Sequence, residues 1–170
     1  AHRGRPMIAI DPGLRGCGVA VFHDGKIAQA GYIRGAKTGR GPAVWSVMAQ
    51  AVRNEVFMWE PENTPLAIER PQVYTVGKSK GDPDDLLELT GVVGAICYAH
   101  GGPVTAYRPR EWKGQLPKEI HHNRIRKHLA AEGRLEATER LLAGVPPSLA
   151  HNVWDAIGLG RFALSRGAAT

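Results

Sequence analysis

"IAIDPGLRGCGVAVF", residues 8–22, is an apolar run that ends on Asp11, crosses a glycine-studded turn and resumes as a second apolar run. Both runs are short and rich in β-branched residues, which predicts strands over 7–11 and 17–23. Asp24-Gly25 follows at once, a two-residue hairpin signal leading into a third strand over roughly 26–34. The chain is therefore expected to open as an antiparallel three-strand meander whose first strand carries a carboxylate out of the core.

Beyond the meander, Pro42 can open a helix in which Val44, Val47, Met48, Ala51, Val52 and Phe57 follow the helical period. "LAIER", 66–70, reads as a short central strand ending on Glu69, followed by a polar loop with Pro71, Gly77, Gly81 and Pro83. A helix is expected over 84–100, opened by acids and apolar around most of its circumference, then a strand over 103–109. A basic loop, helices near 118–131 and 134–143, the breaker Pro146-Pro147 and a last helix over about 148–165 complete the order. Three meandering strands followed by alternating helices and strands describe an α/β fold. Its mixed five-stranded sheet joins the antiparallel meander to parallel strands, with helices on both faces, and the first strand is central if "LAIER" pairs beside it. With 170 residues, 1–170 is expected to form one domain, with 1–6 a flexible or tag-derived lead-in.

Composition narrows the function classes. No apolar stretch approaches the ~20 residues that span a bilayer, so an intracellular, non-secreted protein is expected. Cys17 and Cys97 have no metal-type spacing and suggest buried side chains rather than a disulfide framework or zinc site. Lys and Arg number 22 against 16 acids, a formal charge of +6, which favours a polyanionic partner. The basic residues cluster over 34–40 and 108–134, while 82–88 is acidic.

The acids point to a site. If "MIAID" and "LAIER" are adjacent parallel strands, Asp11 and Glu69 both stand at carboxyl ends, the edge where open α/β sheets place their sites. Read alone, Asp11-Pro12-Gly13 is a common turn, but Glu69 directly after three apolar strand residues must reach solvent, a cation or a metal. In "HNVWDAIGLG", His151, Asn152 and Asp155 are three and four positions apart and share a helix face, which can bring Asp155 to the same edge. Hard oxygen donors from two strands and a helix describe a Mg²⁺ site of one or two ions, able to activate water and stabilise charge on a phosphodiester.

Four stretches in order, "IAIDPGLRGCGVAVF", "LAIERPQVY", "YRPREWKGQLPKE" and "HNVWDAIGLG", resemble the RuvC-like Holliday junction resolvases, over most of the chain. The resemblance implies a ribonuclease H-like fold and a dimeric, Mg²⁺-dependent endonuclease that resolves four-way junctions by paired nicks in strands of like polarity. It implies Asp11, Glu69 and Asp155 as metal-binding acids, and Lys113 and Lys118 as lysines beside the reacting phosphate. The family position three before the last acid is an acid or histidine; here it is Asn152, so the sequence departs from the pattern and His151 is the candidate to take over that role. The resulting expectation is a catalytic set of Asp11, Glu69, His151, Asp155 and Lys118, with Asn152 added among the metal ligands and Mn²⁺ able to substitute for Mg²⁺. The glycines after Asp11 are expected to let DNA backbone come close.

For DNA contacts the candidates are Arg15, Tyr74, Lys78, Lys80, Arg110, Lys113, Lys118 and Arg124, with Tyr74 able to stack on an unpaired base. On the helix over 84–100, Leu86, Leu87, Leu89, Val92, Val93, Ile96 and Cys97 exceed one apolar stripe, so a homodimer through this helix is expected. Such a protein would act in the cytoplasm at the nucleoid or in a phage-infected cell. The competing readings are another ribonuclease H-like nuclease, acting on flaps or RNA–DNA hybrids, and a non-catalytic module that binds branched DNA, for which Asn152 is the support.

Overall fold

The computed structural model describes residues 6–73 and 82–167. The expectations for residues 1–5, and for Tyr74, Lys78 and Lys80, lie outside the described residues. The meander is present as β1 (Met7–Asp11), β2 (Gly16–His23) and β3 (Lys26–Arg34), with Asp24 and Gly25 both at positive φ in the tight turn between β2 and β3. Helix α1 (Pro42–Glu55) and a 3-10 turn (Phe57–Trp59) lead to β4 (Leu66–Glu69). Helix α2 (Pro83–His100) then precedes β5 (Val104–Tyr107). Four further helices follow: α3 (Pro109–Trp112), α4 (Lys118–Ala131), α5 (Leu135–Leu142) and α6 (Pro147–Ser165). The expected basic loop after β5 thus begins with a short helical turn, because Pro109 presets its first position and Glu111 accepts from the Arg108 amide.

The sheet order is β3-β2-β1-β4-β5, antiparallel through the meander and parallel through β1, β4 and β5. β1 is central, as its all-buried pattern requires. Side-chain alternation then divides the sheet into two faces. Ile8, Ile10, Cys17, Val19, Val21, Leu66 and Ile68 pack against Met48, Ala49 and Val52 of α1 and Val92, Val93 and Ile96 of α2. Met7, Ala9, Ala20, Phe22 and Ala67 pack against α6, with Trp112, Ile125, Leu129 and Leu142 closing the rim.

The second face is built to admit a helix backbone. A Cβ on Gly18 would run into the Asn152 carbonyl, and one on Gly160 into the Phe22 ring. A Cβ on Gly16 would meet the Tyr32 ring, and one on Gly13 the Gly16 carbonyl oxygen. The glycines after Asp11 thus accommodate close packing within the chain. No helix among the described residues is long and apolar enough to cross a membrane.

Candidate active site

The pairing of Ile10 with Ile68 brings Asp11 and Glu69 to neighbouring positions at the carboxyl ends of β1 and β4. By alternation they follow Ala9 and Ala67 onto the α6 face. Because Ala9, Ala67 and Gly18 keep that face low beside the acids, α6 lies close enough for Asp155 to reach the same edge, where it is 1% exposed. Three carboxylates from three elements therefore share one electrostatic environment. Burial, then the charges of Glu69 and Asp155, hold the Asp11 carboxyl well above the ordinary carboxylate range, against a downward pull from Lys113 and Lys118.

Cations answer from the segment after β5. Lys113 Nζ lies 3.1 Å from Glu69 Oε2 and 3.6 Å from Asp155 Oδ2, and Lys118 Nζ lies 3.4 Å from the same Oδ2. Lys113 is largely enclosed, whereas Lys118 keeps more than half of its side chain in solvent. Burial works against the Lys113 ammonium, yet Glu69, Asp155 and Asp11 together raise its pKa. At Asp155 the largest influence is also burial, which favours the neutral acid. It is outweighed by the His122 hydrogen bond and by Lys113 and Lys118, which bring the carboxyl down to about 2.

Two contributors escape the sequence reading. Trp112 Nε1 donates to Glu69 Oε2 at 2.8 Å, and His122 Nε2 lies 2.8 Å from Asp155 Oδ1. His122 stands four residues after Lys118, so the two share a face of α4, and that spacing is the available signal. Trp112 adjoins Lys113, but its pairing with a residue 43 positions away has no local signature.

The remaining candidates divide. Burial, then neighbouring Lys118, holds the His151 imidazole below its ordinary pKa, while Asp155 pulls the other way, so His151 is within reach of the cluster's field. The Asn152 amide donates to the Leu149 carbonyl at 3.4 Å, one turn back on its own helix. The Arg15 guanidinium donates to the Gly39 carbonyl at 2.9 Å and braces the loop before α1. That loop is tied to α2 by Arg40 with Asp85 at 3.0 Å and by Glu88, which accepts from the Gly41 amide and the Trp45 indole. Arg110 and Arg124 are exposed on α3 and α4.

Among the described residues no three histidine, cysteine or acidic side chains are drawn close enough to enclose a metal ion as they stand. The donor chemistry nevertheless fits a hard divalent cation, since Asp11, Glu69 and Asp155 repel one another and an ammonium, Lys113, is already drawn in to offset them.

No protein-family model matches the chain, and no curated protein matches it. Among solved structures, Thermus thermophilus RuvC in complex with a Holliday junction substrate aligns at 19% identity over 96% of this chain and 97% of that one, with a TM-score of 0.64. A second T. thermophilus RuvC structure aligns at 18% identity over 96% of this chain and 97% of that one, with a TM-score of 0.61. With its five strands in this order and helices on both faces, the chain is RuvC-like in fold, of the ribonuclease H-like architecture.

Proposed function

We propose that the protein is a metal-dependent endonuclease that resolves four-way DNA junctions by paired nicks in strands of like polarity. The observation that carries this reading is the gathering of Asp11, Glu69 and Asp155 with Lys113 and Lys118 at the carboxyl edge of the sheet. Asp11, Glu69 and Asp155 would hold one or two Mg²⁺ ions, with Mn²⁺ able to replace them, and His151 and Asn152 are the remaining candidate ligands. When bound, such a cation activates water and stabilises negative charge on the phosphate. Lys113, and Lys118 with its exposed side chain, would present ammonium groups to the scissile phosphate. Arg15, Tyr74, Lys78, Lys80, Arg110 and Arg124 are the further candidates for DNA contacts.

Two opposed nicks need two sites, and α2 offers the surface to pair them. Leu87 is 70% exposed and Tyr98 91% exposed, on a face with Thr90 and Gly94. A homodimer through this face would place two copies of the acidic cluster on one junction. Action on branched DNA sets the expected place of work at the nucleoid or in a phage-infected cell.

The test is Mg²⁺-dependent cleavage of a synthetic four-way junction beside linear duplex, flap and RNA–DNA hybrid, with products mapped on each strand. Symmetric nicks confined to the junction are expected. Preferential cutting of a flap or hybrid would assign the site to another nuclease of the same fold, and tight junction binding without cleavage under Mg²⁺ or Mn²⁺ would make the protein a binding module.

A further inference from the structure

We infer that Trp112 and His122 are a pair of positioning residues, each clamping one acid of the cluster through a single N–H. The inference rests on the metal-binding reading above and adds residues to it. A carboxylate oxygen accepts, so in the 2.8 Å contact with Asp155 Oδ1 the donor is His122 Nε2. The two oxygens of Asp155 are thereby divided: Oδ1 is taken by His122, while Oδ2 faces the ammonium groups of Lys113 and Lys118. At Glu69 the arrangement differs: Oε2 receives the Trp112 indole at 2.8 Å and also faces the Lys113 ammonium at 3.1 Å, so neither contact falls on Oε1.

The two donors are themselves held. Trp112 is buried, with the Lys113 ammonium 4.6 Å from its ring centre. His121, beside His122, stands edge-on to Trp112 with ring centres 5.0 Å apart, and its Nε2 lies against Gly158 of α6. One continuous piece of chain, α3 to the first turn of α4, thus backs both acids and locks to α6 through a ring. A lysine can leave a carboxylate when a divalent cation arrives, because both compete for the same charge. An N–H hydrogen bond instead fixes the plane of the carboxylate and keeps it aimed, on Oδ1 of Asp155 away from the lysines and on Oε2 of Glu69 beside Lys113.

The test is calorimetric titration of Mn²⁺ alone into the metal-free, DNA-free protein, with Asp155→Asn as the reference for a lost ligand. His122→Leu is expected to weaken Mn²⁺ binding by about tenfold to a hundredfold, and His122→Gln, which keeps an N–H donor, to return it to within about threefold of wild type. Trp112→Phe, which keeps the ring and deletes the N–H, should weaken Mn²⁺ similarly. Junction affinity measured without divalent metal should change little in all three. Unchanged Mn²⁺ affinity in His122→Leu and Trp112→Phe, with Asp155→Asn impaired, would overturn the positioning role and leave the metal-binding reading standing. A His122→Gln variant as impaired as His122→Leu would also overturn it, because shape and not the donor would then matter. If wild type binds no Mn²⁺, the metal-binding reading fails, and the inference falls with it.

Discussion

The two faces of the sheet are made from different residues, and the difference separates stability from chemistry. The face toward α1 and α2 is filled by Ile8, Ile10, Val19, Val21, Leu66 and Ile68, whose branched side chains hold the helices at full side-chain distance. The face toward α6 carries Gly18, Ala9, Ala20 and Ala67, so the helix comes down to backbone distance. Only on that second face do Asp11, Glu69 and Asp155 come together. Ordinary packing on one side thus anchors a close approach on the other, and the close approach brings a helix carboxylate to two strand carboxylates.

The sharpest way to separate the two roles is Asp11→Asn. Nicking should fall by about a hundredfold to a thousandfold, because a carboxylate that would hold the divalent cation is removed. Junction binding should hold within a few fold. The same change should stabilise the metal-free protein at neutral pH. The sign follows from the raised folded pKa of Asp11: ionising it at pH 7 costs folding free energy, and the cost disappears below the ordinary carboxylate range. Thermal melting in EDTA at pH 7 and pH 4 should therefore show a higher midpoint for Asp11→Asn at pH 7 and a smaller gain at pH 4. A midpoint lowered at both values would mean that the carboxylate stabilises the edge.

Opposite substitutions on the two faces test the division directly. Met48→Ala empties a fully buried position on α1 and should cost about 2–5 kcal/mol in urea unfolding, while the single-turnover rate of the folded protein stays near wild type. Gly18→Val places side-chain atoms against the Asn152 carbonyl and should cost about 1–3 kcal/mol. Its rate should also fall, since the helix that carries Asp155 must move. Equal effects of both changes on the rate would erase the distinction.

Lys118→Ala should slow the chemical step by about a hundredfold and weaken junction binding far less, if its exposed ammonium acts on the developing charge. Single-turnover kinetics beside binding isotherms decide it, and a loss confined to affinity would reduce Lys118 to a phosphate contact. On α2, Tyr98→Glu should leave the fold intact and weaken self-association by about 2 kcal/mol in sedimentation. Val93→Glu should instead damage folding. The sequence pattern places Leu87 and Val93 on one overlong apolar surface, but Leu87 faces outward with Tyr98 while Val93 packs in the core.

Much of this architecture is legible in the sequence because its signals are local. The short β-branched apolar runs in 8–22 and 66–70, the Asp24-Gly25 turn and the prolines that open α1 and α6 each act within a few residues of the structure they specify. The acids are legible as well, since a carboxylate closing an apolar strand must be met by solvent, a cation or a metal at the strand's end. What escapes depends on contacts between distant segments. Trp112 with Glu69, and His122 with Asp155 33 positions away, follow from how α3 and α4 dock on α6, and the spacing of His122 from Lys118 is the sole local hint. The glycines after Asp11 are ambiguous for the same reason: composition says that something comes close, and the packing of Gly18 against α6 and of Gly16 against Tyr32 names the neighbours within the chain.

Asn152 and His151 offer the smallest and most discriminating effect. Asn152 lies one turn before Asp155, and its amide donates to the Leu149 carbonyl, so in this arrangement it satisfies its own helix. Asn152→Asp deletes that donor and adds a negative charge near three others, which costs stability in the absence of metal. If the side chain can turn toward the acids, the added charge should also lower the Mg²⁺ concentration for half-maximal cleavage by a few fold, because ligand charge count sets divalent affinity. His151→Ala removes an imidazole already within the field of Asp155 and Lys118. Imidazole suits Mn²⁺ better than Mg²⁺, so a ligating His151 predicts that its loss raises the Mn²⁺ requirement more than the Mg²⁺ requirement. Titrating both metals against both variants separates the cases. A response only to His151→Ala means that the histidine has replaced the missing acid, and a response only to Asn152→Asp means that the amide position still faces the metals. Indifference to both would leave Asp155 as the sole ligand from α6, with the small residues of β1, β2 and β4 serving to deliver that one carboxylate.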